Sequence, residues 1–240
     1  MRREHQPYWL RRLRDYLELS VSRYHLFPQF DAVGPGCHIA RPLHVKVSGP
    51  NITLGSYVHV RATSSQKVWL TSWRQPDREG CIHIGDYALV SPGVRISSSE
   101  CITIGKAVML ASYAHISDSD WHDTYDRTQE LGKHEPVRLE DNVWIGDGAV
   151  VCKGVTIGRN SIIGARSVVT RDIPDNVIAA GNPAQIVRRL DPNGPFRTRA
   201  ALFEDPVALA AEMDALNRYL LRGNTIWGWL KSALLPGPRD

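Results

Sequence analysis

From Leu139 onward an aliphatic residue returns every six positions, at Leu139, Ile145, Val151, Ile157, Ile163 and Val169. Four positions after each stands a small or β-branched residue (Val143, Ala149, Val155, Ser161, Ser167, Ile173), and Gly146, Gly158 and Gly164 directly follow three of the aliphatic ones. A period of six is neither the 3.6 of a helix nor the alternation of a plain strand. It predicts a short strand and a turn per six residues, with one aliphatic side chain per unit turned into a shared interior, the pattern of a hexapeptide β-helix. The same register occurs upstream as Leu54-Gly55 to Val60, Ile84-Gly85 to Val90 to Ile96, and Ile104-Gly105 to Leu110 to Ile116. Three hexapeptides make one triangular coil, and coils stack about 4.8 Å apart, the ordinary strand spacing. Residues 61–80 and 117–136 are too polar to continue the stack and are expected to project from the prism as loops.

Stacking satisfies the backbone in the middle of such a prism and leaves ends that need cover. Trp9, Leu13, Tyr16, Leu17 and Val21 fall at helical spacings, as do Leu209, Met213, Leu216 and Leu220 after the capping stretch Glu204-Asp205-Pro206. The chain is therefore expected to consist of an N-terminal helical cap over 1–36, an all-β prism over 37–190 and a C-terminal helical extension over 191–240. Pro192-Asn193-Gly194-Pro195 reads as a linker, and the final NTIWGWLKSALLPGPRD as carrying a short amphipathic helix.

Composition narrows the chemistry. Of 240 residues 42% are hydrophobic and 22% charged, which excludes a disordered or collagenous chain. A net charge of +4 is too small to argue for nucleic acid. Its distribution is uneven, with six Arg against three acidic residues in 1–30 and eight acidic against three basic residues in 117–141. Cys37, Cys81, Cys101 and Cys152 form no C-x-x-C pair, so neither a zinc knuckle nor a disulfide framework is expected and a reducing cytosol fits. The start interrupts every apolar stretch with charge, unlike a signal peptide, and no run approaches the ~20 apolar residues of a membrane span. The expectation is a cytoplasmic protein, at most peripheral on the inner membrane surface through its Arg- and Trp-containing ends.

The stretch DNVWIGDGAVVCKGVTIGRNSIIGARSVVTRDIPDNVIAAGNPAQIVRRL, residues 141–190, resembles the hexapeptide-repeat acyltransferases, and the likeness extends over about 37–190. Its carriers are the hexad register, the Asn142-Val143-Trp144-Ile145-Gly146 start and the Gly181-Asn182-Pro183-Ala184 end. The resemblance implies a left-handed parallel β-helix, a homotrimer, and acyl-CoA bound between neighbouring prisms, nearest to the maltose and galactoside O-acetyltransferases and the O-acetyltransferases of surface polysaccharides. It does not reach the terminal helices.

With one inserted residue allowed, TIGKAVMLASYAHISDSDWHD (103–123) places the family's catalytic histidine at His122; His115, directly before the inward Ile116, is the competitor. A neutral His122 would take the proton of a bound hydroxyl as it attacks the thioester, so no Ser or Cys nucleophile is needed, and activity should rise through a histidine titration. For acetyl-CoA the resemblance points to Asp147, Gly164, Ala165, Ser167, Thr170, Arg171 and Arg188, the two arginines toward phosphates. For the acceptor it points to Ser91, Asn142 and Trp144. Two departures stand out: Ser91 replaces a sugar-contacting Asn, and Gln185 replaces an Arg. His59 and His83 are assigned no function.

The leading expectation is acetyl-CoA-dependent O-acylation of a saccharide hydroxyl by a homotrimer, with no metal and no nucleic acid. N-acylation of an amino sugar uses the same base and thioester. A γ-carbonic-anhydrase-like zinc enzyme shares the prism but needs paired histidines five apart, whereas His115 and His122 are seven apart. An inactive scaffold is the remaining class.

Overall fold

In the computed structural model, which describes residues 4–235 and Gly237, the six-residue register closes into a three-faced prism. The positions 1–3, 236 and 238–240 of the expected terminal segments lie outside the described residues. The first face stacks Ala32–Val33, Ile52–Leu54, Ile82–Ile84, Ile102–Ile104, Val137–Leu139 and Thr156–Ile157. The second stacks His38–Ala40, His59–Arg61, Leu89–Val90, Met109–Leu110, Trp144–Ile145, Ile162–Ile163, Val177–Gly181 and Ala184–Arg189. The third stacks Val45–Ser48, Val68–Ser72, Arg95–Ser98, His115–Ser117, Val150–Val151 and Val168–Val169. Every pairing is parallel except the last on the second face, where Ala184–Arg189 returns antiparallel to Val177–Gly181.

All six repeat residues from Leu139 to Val169 are buried, as are Leu54, Val60, Ile84, Val90, Ile96, Ile104, Leu110 and Ile116 upstream. Four of the six first-face strands bury two residues each, as Ile52 with Leu54 and Ile102 with Ile104, so the interior is fuller than the six-residue period alone implies.

The chain turns at corners where a residue takes the left-handed conformation. Gly49, at φ 89°, is one that must be glycine, because a Cβ there would overlap the Ser72 carbonyl of the next coil. Elsewhere asparagine serves, since its short amide tolerates this region. Asn142, Asn160 and Asn176 stack at one corner with φ of 58°, 58° and 55°, and their amides bond in series, Nδ2 to Oδ1, at 3.0 and 2.8 Å. Aspartates one position before Asn142, Asn176 and Tyr87, the last also left-handed at φ 61°, complete their corners. Asp86, Asp141 and Asp175 accept the backbone N–H of Ser56, Lys106 and Arg159 in the preceding coil.

Three expectations need correction. The prism begins at Ala32, not residue 37, because Ala32–Val33 already pairs with Thr53–Leu54. The stretch 61–80 does not project as a whole: Val68–Ser72 is a third-face strand with Val68 and Leu70 buried, and only the hairpin at 73–80 leaves, closed by Gly80 N–H to the Trp73 carbonyl at 2.9 Å. Finally, Cys81 and Cys101 form a disulfide. They stand immediately before Ile82 and Ile102, which are register partners, so stacking brings their Cα atoms to 4.6 Å.

One compact unit runs from Val21 to Ala201, and its first coil is covered by the short helical turns Ser22–Leu26 and Phe27–Gln29, with Leu26 and Phe30 buried in the prism core. The terminal segments, up to Ser20 and from Leu202, form a second unit together. In it α1 (Tyr8–Val21) meets α2 (Pro206–Leu220) around Asp214, which accepts from the Tyr8 hydroxyl at 2.7 Å and from Arg12 and Arg218 at 2.9 and 3.1 Å. Donation by the Tyr8 hydroxyl, then by Arg218, holds the Asp214 carboxyl well below the usual carboxylate range. The expected amphipathic helix is α3 (Ile226–Leu234), and Asp205 caps α2 as foreseen. No helix among the described residues is long and apolar enough to cross a membrane.

The interior column carries the stability. Ile116→Ala, at a fully buried position, should cost about 2–5 kcal/mol, while Val187→Ala on the exposed last strand should stay within about 0.5 kcal/mol, as read from denaturant unfolding.

Candidate functional site

His122 is carried by an excursion that leaves the third face and returns to the first, and the start of that excursion is fixed by a buried carboxylate. Asp118, fully buried, accepts from the Ser98 hydroxyl at 2.6 Å, the Ser99 N–H at 2.8 Å and the Glu100 N–H at 3.0 Å, all in the coil before it. The two arms then pair with each other. Asp120 N–H bonds the Lys133 carbonyl, Gly132 N–H the Asp120 carbonyl and Glu135 N–H the Asp118 carbonyl, at 2.8–2.9 Å. Lys153, from the following coil, reaches Asp120 at 2.8 Å. The tip is closed by Asp123, whose Oδ1 accepts from the N–H groups of Tyr125 and Asp126.

On this frame His122 is exposed, with Nδ1 3.2 Å from the Gln129 carbonyl oxygen. A carbonyl only accepts, so this contact puts a proton on Nδ1, and in the neutral ring the lone pair is then on Nε2. That is the tautomer a general base requires.

Beside the excursion the third face carries a cleft of about 460 Å³ that the sequence did not point to. Its floor is an outward column in register, Trp69 beside Arg95 beside His115. Its rim is Trp73 from the 73–80 hairpin and Trp121 from the His122 excursion, with ring centres 5.3 Å apart in an edge contact. Trp73 Nε1 donates to the Ser97 hydroxyl at 3.2 Å. Burial first, and then the Arg95 charge, push the His115 imidazole below its ordinary range, so it is neutral at pH 7. The signal for this cleft was present: three tryptophans in or beside stretches otherwise too polar to build the prism.

The other site candidates lie elsewhere. Asp147 sits at the corner between second and third faces, 3.5 Å from Arg166, and Gly164 and Ala165 occupy the same corner one coil later. Ser167 is buried there, its hydroxyl accepting the Gly181 N–H at 3.0 Å. Thr170 and Arg171 are exposed after the last third-face strand, and Arg188 is exposed on the returning strand opposite Ile178. Among the described residues neither Arg171 nor Arg188 pairs with a carboxylate. Trp144, 44% exposed, stands on the second face between Met109 and Ile162. Ser91 follows the strand Leu89–Val90, its N–H on the Leu110 carbonyl, and Asn142 belongs to the asparagine ladder. Within one chain, then, the His122 excursion and the Asp147–Ala165 corner occupy opposite edges of the third face.

Cys81, His83 and Cys101 place ligand-type atoms within 4.8 Å of one another, but both sulfurs are joined in the disulfide. Among the described residues no three histidines converge. On the second face, burial, then the charges of His38, Arg199 and Arg61, push His59 down to about 4.

Residues 136–171 match the family described as bacterial transferase hexapeptide (six repeats). The chain is 30% identical over 169 residues to a galactoside O-acetyltransferase of Lactococcus lactis, covering 70% of this chain and 67% of that protein. It is 38% identical over 112 residues to the galactoside O-acetyltransferase of Escherichia coli K12, covering 46% of this chain and 55% of that one, so the shared part is about half of the latter's length. Among solved structures, a hexapeptide-repeat-containing acetyltransferase of Vibrio cholerae aligns with a TM-score of 0.49 at 24% identity, over 76% of this chain and 92% of that one.

Two outcomes follow from these groups. Asp118→Asn forces an amide N–H toward the Ser99 or Glu100 donor; it should lower stability by about 1–3 kcal/mol and speed proteolysis within 120–132, seen by mapping the first cleavage site. Because the folded chain resists protonating His59, stability should be constant above the ordinary 6.5 and fall as pH drops from there toward 4. His59→Gln should flatten that slope in urea titrations.

Proposed function

The chain belongs to the hexapeptide-repeat acyltransferases, proteins of left-handed parallel β-helix fold, and from that premise we propose that it transfers an acetyl group from coenzyme A to a saccharide hydroxyl with His122 as general base. The observation that carries the choice of base is the Nδ1 contact with the Gln129 carbonyl, which orients Nε2 as acceptor. His115, whose imidazole lies on the cleft floor next to Arg95, is a contact for the acceptor in this reading.

Bound acetyl-CoA supplies an activated thioester carbonyl. His122 Nε2 removes the hydroxyl proton as the oxygen adds to that carbonyl, and returns it to the sulfur when the tetrahedral adduct collapses. Arg171 and Arg188, free of carboxylate partners, suit the phosphates of the donor. The small residues Gly164 and Ala165 leave backbone amides approachable for its pantetheine arm, and Asp147 and Thr170 flank that path. Ser167 acts by holding the Gly181 N–H rather than through a free hydroxyl.

The proposed assembly is a homotrimer. The base and the donor corner lie on opposite edges of one face, so a neighbouring prism would bring its donor corner to this chain's excursion. Use of acetyl-CoA places the work in the cytoplasm. An amine attacks the same thioester with the same base, and acceptor screening separates the two outcomes: thiol release with amino sugars alone would overturn the hydroxyl reading.

His122→Ala should lower kcat by about 10²–10⁴-fold with little change in the KM for acetyl-CoA, while His115→Ala should act mainly on the acceptor KM. The reverse pattern in a folded protein transfers the role to His115. Replacing Arg171 and Arg188 together by Ala should weaken CoA binding by about 1–3 kcal/mol in calorimetry, and light scattering should return three times the 26.9 kDa chain mass.

A further inference from the structure

We propose that the tryptophan cleft on the third face is the acceptor site, and that it selects a saccharide carrying an anionic group, with a sugar ring against Trp69, Trp73 and Trp121 and the anion on Arg95. This rests on the acyltransferase reading above.

The three indoles are 44%, 44% and 37% exposed, although they stand together in one concave place. Scattered exposed aromatics need no explanation; a cluster lining a cleft of about 460 Å³ does, because that volume lies in the range of small-molecule sites built from aromatic walls and a few fixed polar groups. The indoles are also held in place beforehand. Trp73 is fixed by its donation to Ser97 and its edge contact with Trp121, and Trp69 projects from a paired strand. A rigid aromatic surface binds the apolar C–H face of a pyranose at small entropic cost, while Ser97 and His115 meet its hydroxyls.

Charge sets the class of sugar. Arg95 lies on the cleft floor between Trp69 and His115, and no carboxylate among the described residues pairs with it. The four aspartates of the neighbouring excursion are engaged elsewhere: Asp118 inside the preceding coil, Asp120 with Lys153, and Asp123 and Asp126 with the excursion's own tip; Glu130 and Glu135 form no ion pair with Arg95. A neutral sugar leaves this cation unused, whereas a carboxylate or phosphate on the ring completes it with a charge-assisted hydrogen bond. The position suits the reaction as well. Trp121, on the rim of the cleft, immediately precedes His122 in the chain, so the cleft and the proposed base share one excursion.

The test measures binding without the donor. Titrated by tryptophan fluorescence, the wild-type protein should bind cellobiouronic acid at least ~10-fold more tightly than neutral cellobiose, the ratio expected for one charge-assisted contact. Glucose 6-phosphate in a parallel arm tells whether a phosphate serves as well as a carboxylate. Arg95→Gln should erase the preference and Arg95→Lys restore part of it. Trp73→Leu should weaken both sugars by ~10-fold, with Trp73→Phe intermediate, and CoA affinity by calorimetry should stay constant throughout. In turnover the losses should appear in the acceptor KM more than in kcat.

Equal affinity for acidic and neutral sugars, an unaffected Arg95→Gln variant, displacement of the sugar by CoA, tighter binding of free uridine diphosphate than of any saccharide, or loss of assembly in the tryptophan variants would each overturn the proposal. Failure of the parent reading looks different. Selective binding of the acidic sugar without thiol release on any acceptor overturns acyl transfer and leaves the cleft; thiol release without selective binding does the opposite.

Discussion

Everything in this prism depends on the hydrogen bonds between coils staying in one register. Each repeat glycine shows it: Gly55 N–H on the Ile84 carbonyl, Gly85 on Ile104, Gly105 on Leu139 and Gly158 on Ile173, at 2.7–2.8 Å. A slip of one residue anywhere would turn the aliphatic column outward and a polar column inward. The chain can therefore take on extra residues only at corners, where no ladder is interrupted. Both long additions, the 73–80 hairpin and the excursion through His122, leave at the same edge, between the third and first faces. One ordinary corner separates them, at Ser98, Ser99 and Glu100, and Asp118 binds all three of those residues. Trp73 and Trp121 meet because the register stacks the roots of their loops.

That edge shows how a repeat with no chemistry of its own comes to hold a site. Outward positions along the third face are bound only by the need to face solvent, so Trp69, Arg95 and His115 can be placed side by side on rigid strands. His122, by contrast, sits on a loop, and its order comes from two carboxylates and a short antiparallel ladder rather than from burial. A strand-borne cleft beside a loop-borne histidine sets a rigid element next to one that can yield.

The period of six was legible because inward residues cannot vary freely: one polar side chain facing the interior would be buried without a partner. The His122 excursion was legible for the converse reason, as a long run unable to supply inward residues. What escaped notice depended on identifying which residues share a corner. Val68 and Leu70 were hidden by the polar residues around them. Cys81 and Cys101 each stand three positions before an aliphatic residue of the repeat, Ile84 and Ile104, so the equal offset held the signal for their stacking. The helical spacings of Trp9 to Val21 and Leu209 to Leu220 did report helices, but Trp9, Leu13, Tyr16, Leu17, Met213, Leu216 and Leu220 stay exposed on them, so periodicity gave the element and not its burial. Within the prism unit the first coil is closed by Leu26 and Phe30. The Trp cleft was missed because aromatic residues in a polar stretch carry no period.

The antiparallel return of Ala184–Arg189 against Val177–Gly181 has a bearing on assembly. A parallel β-helix is in principle open-ended: its final coil presents the same edge that every earlier coil presented, and a second molecule could continue it, turning a single molecule into the unit of a fibre. On the second face the last strand runs in the wrong direction to accept another coil, while at the other end short helical turns cover the first. The repeat is thus a polymer with both chain stoppers written into the sequence, and the ends, not the repeat, set its degree of polymerisation at one molecule.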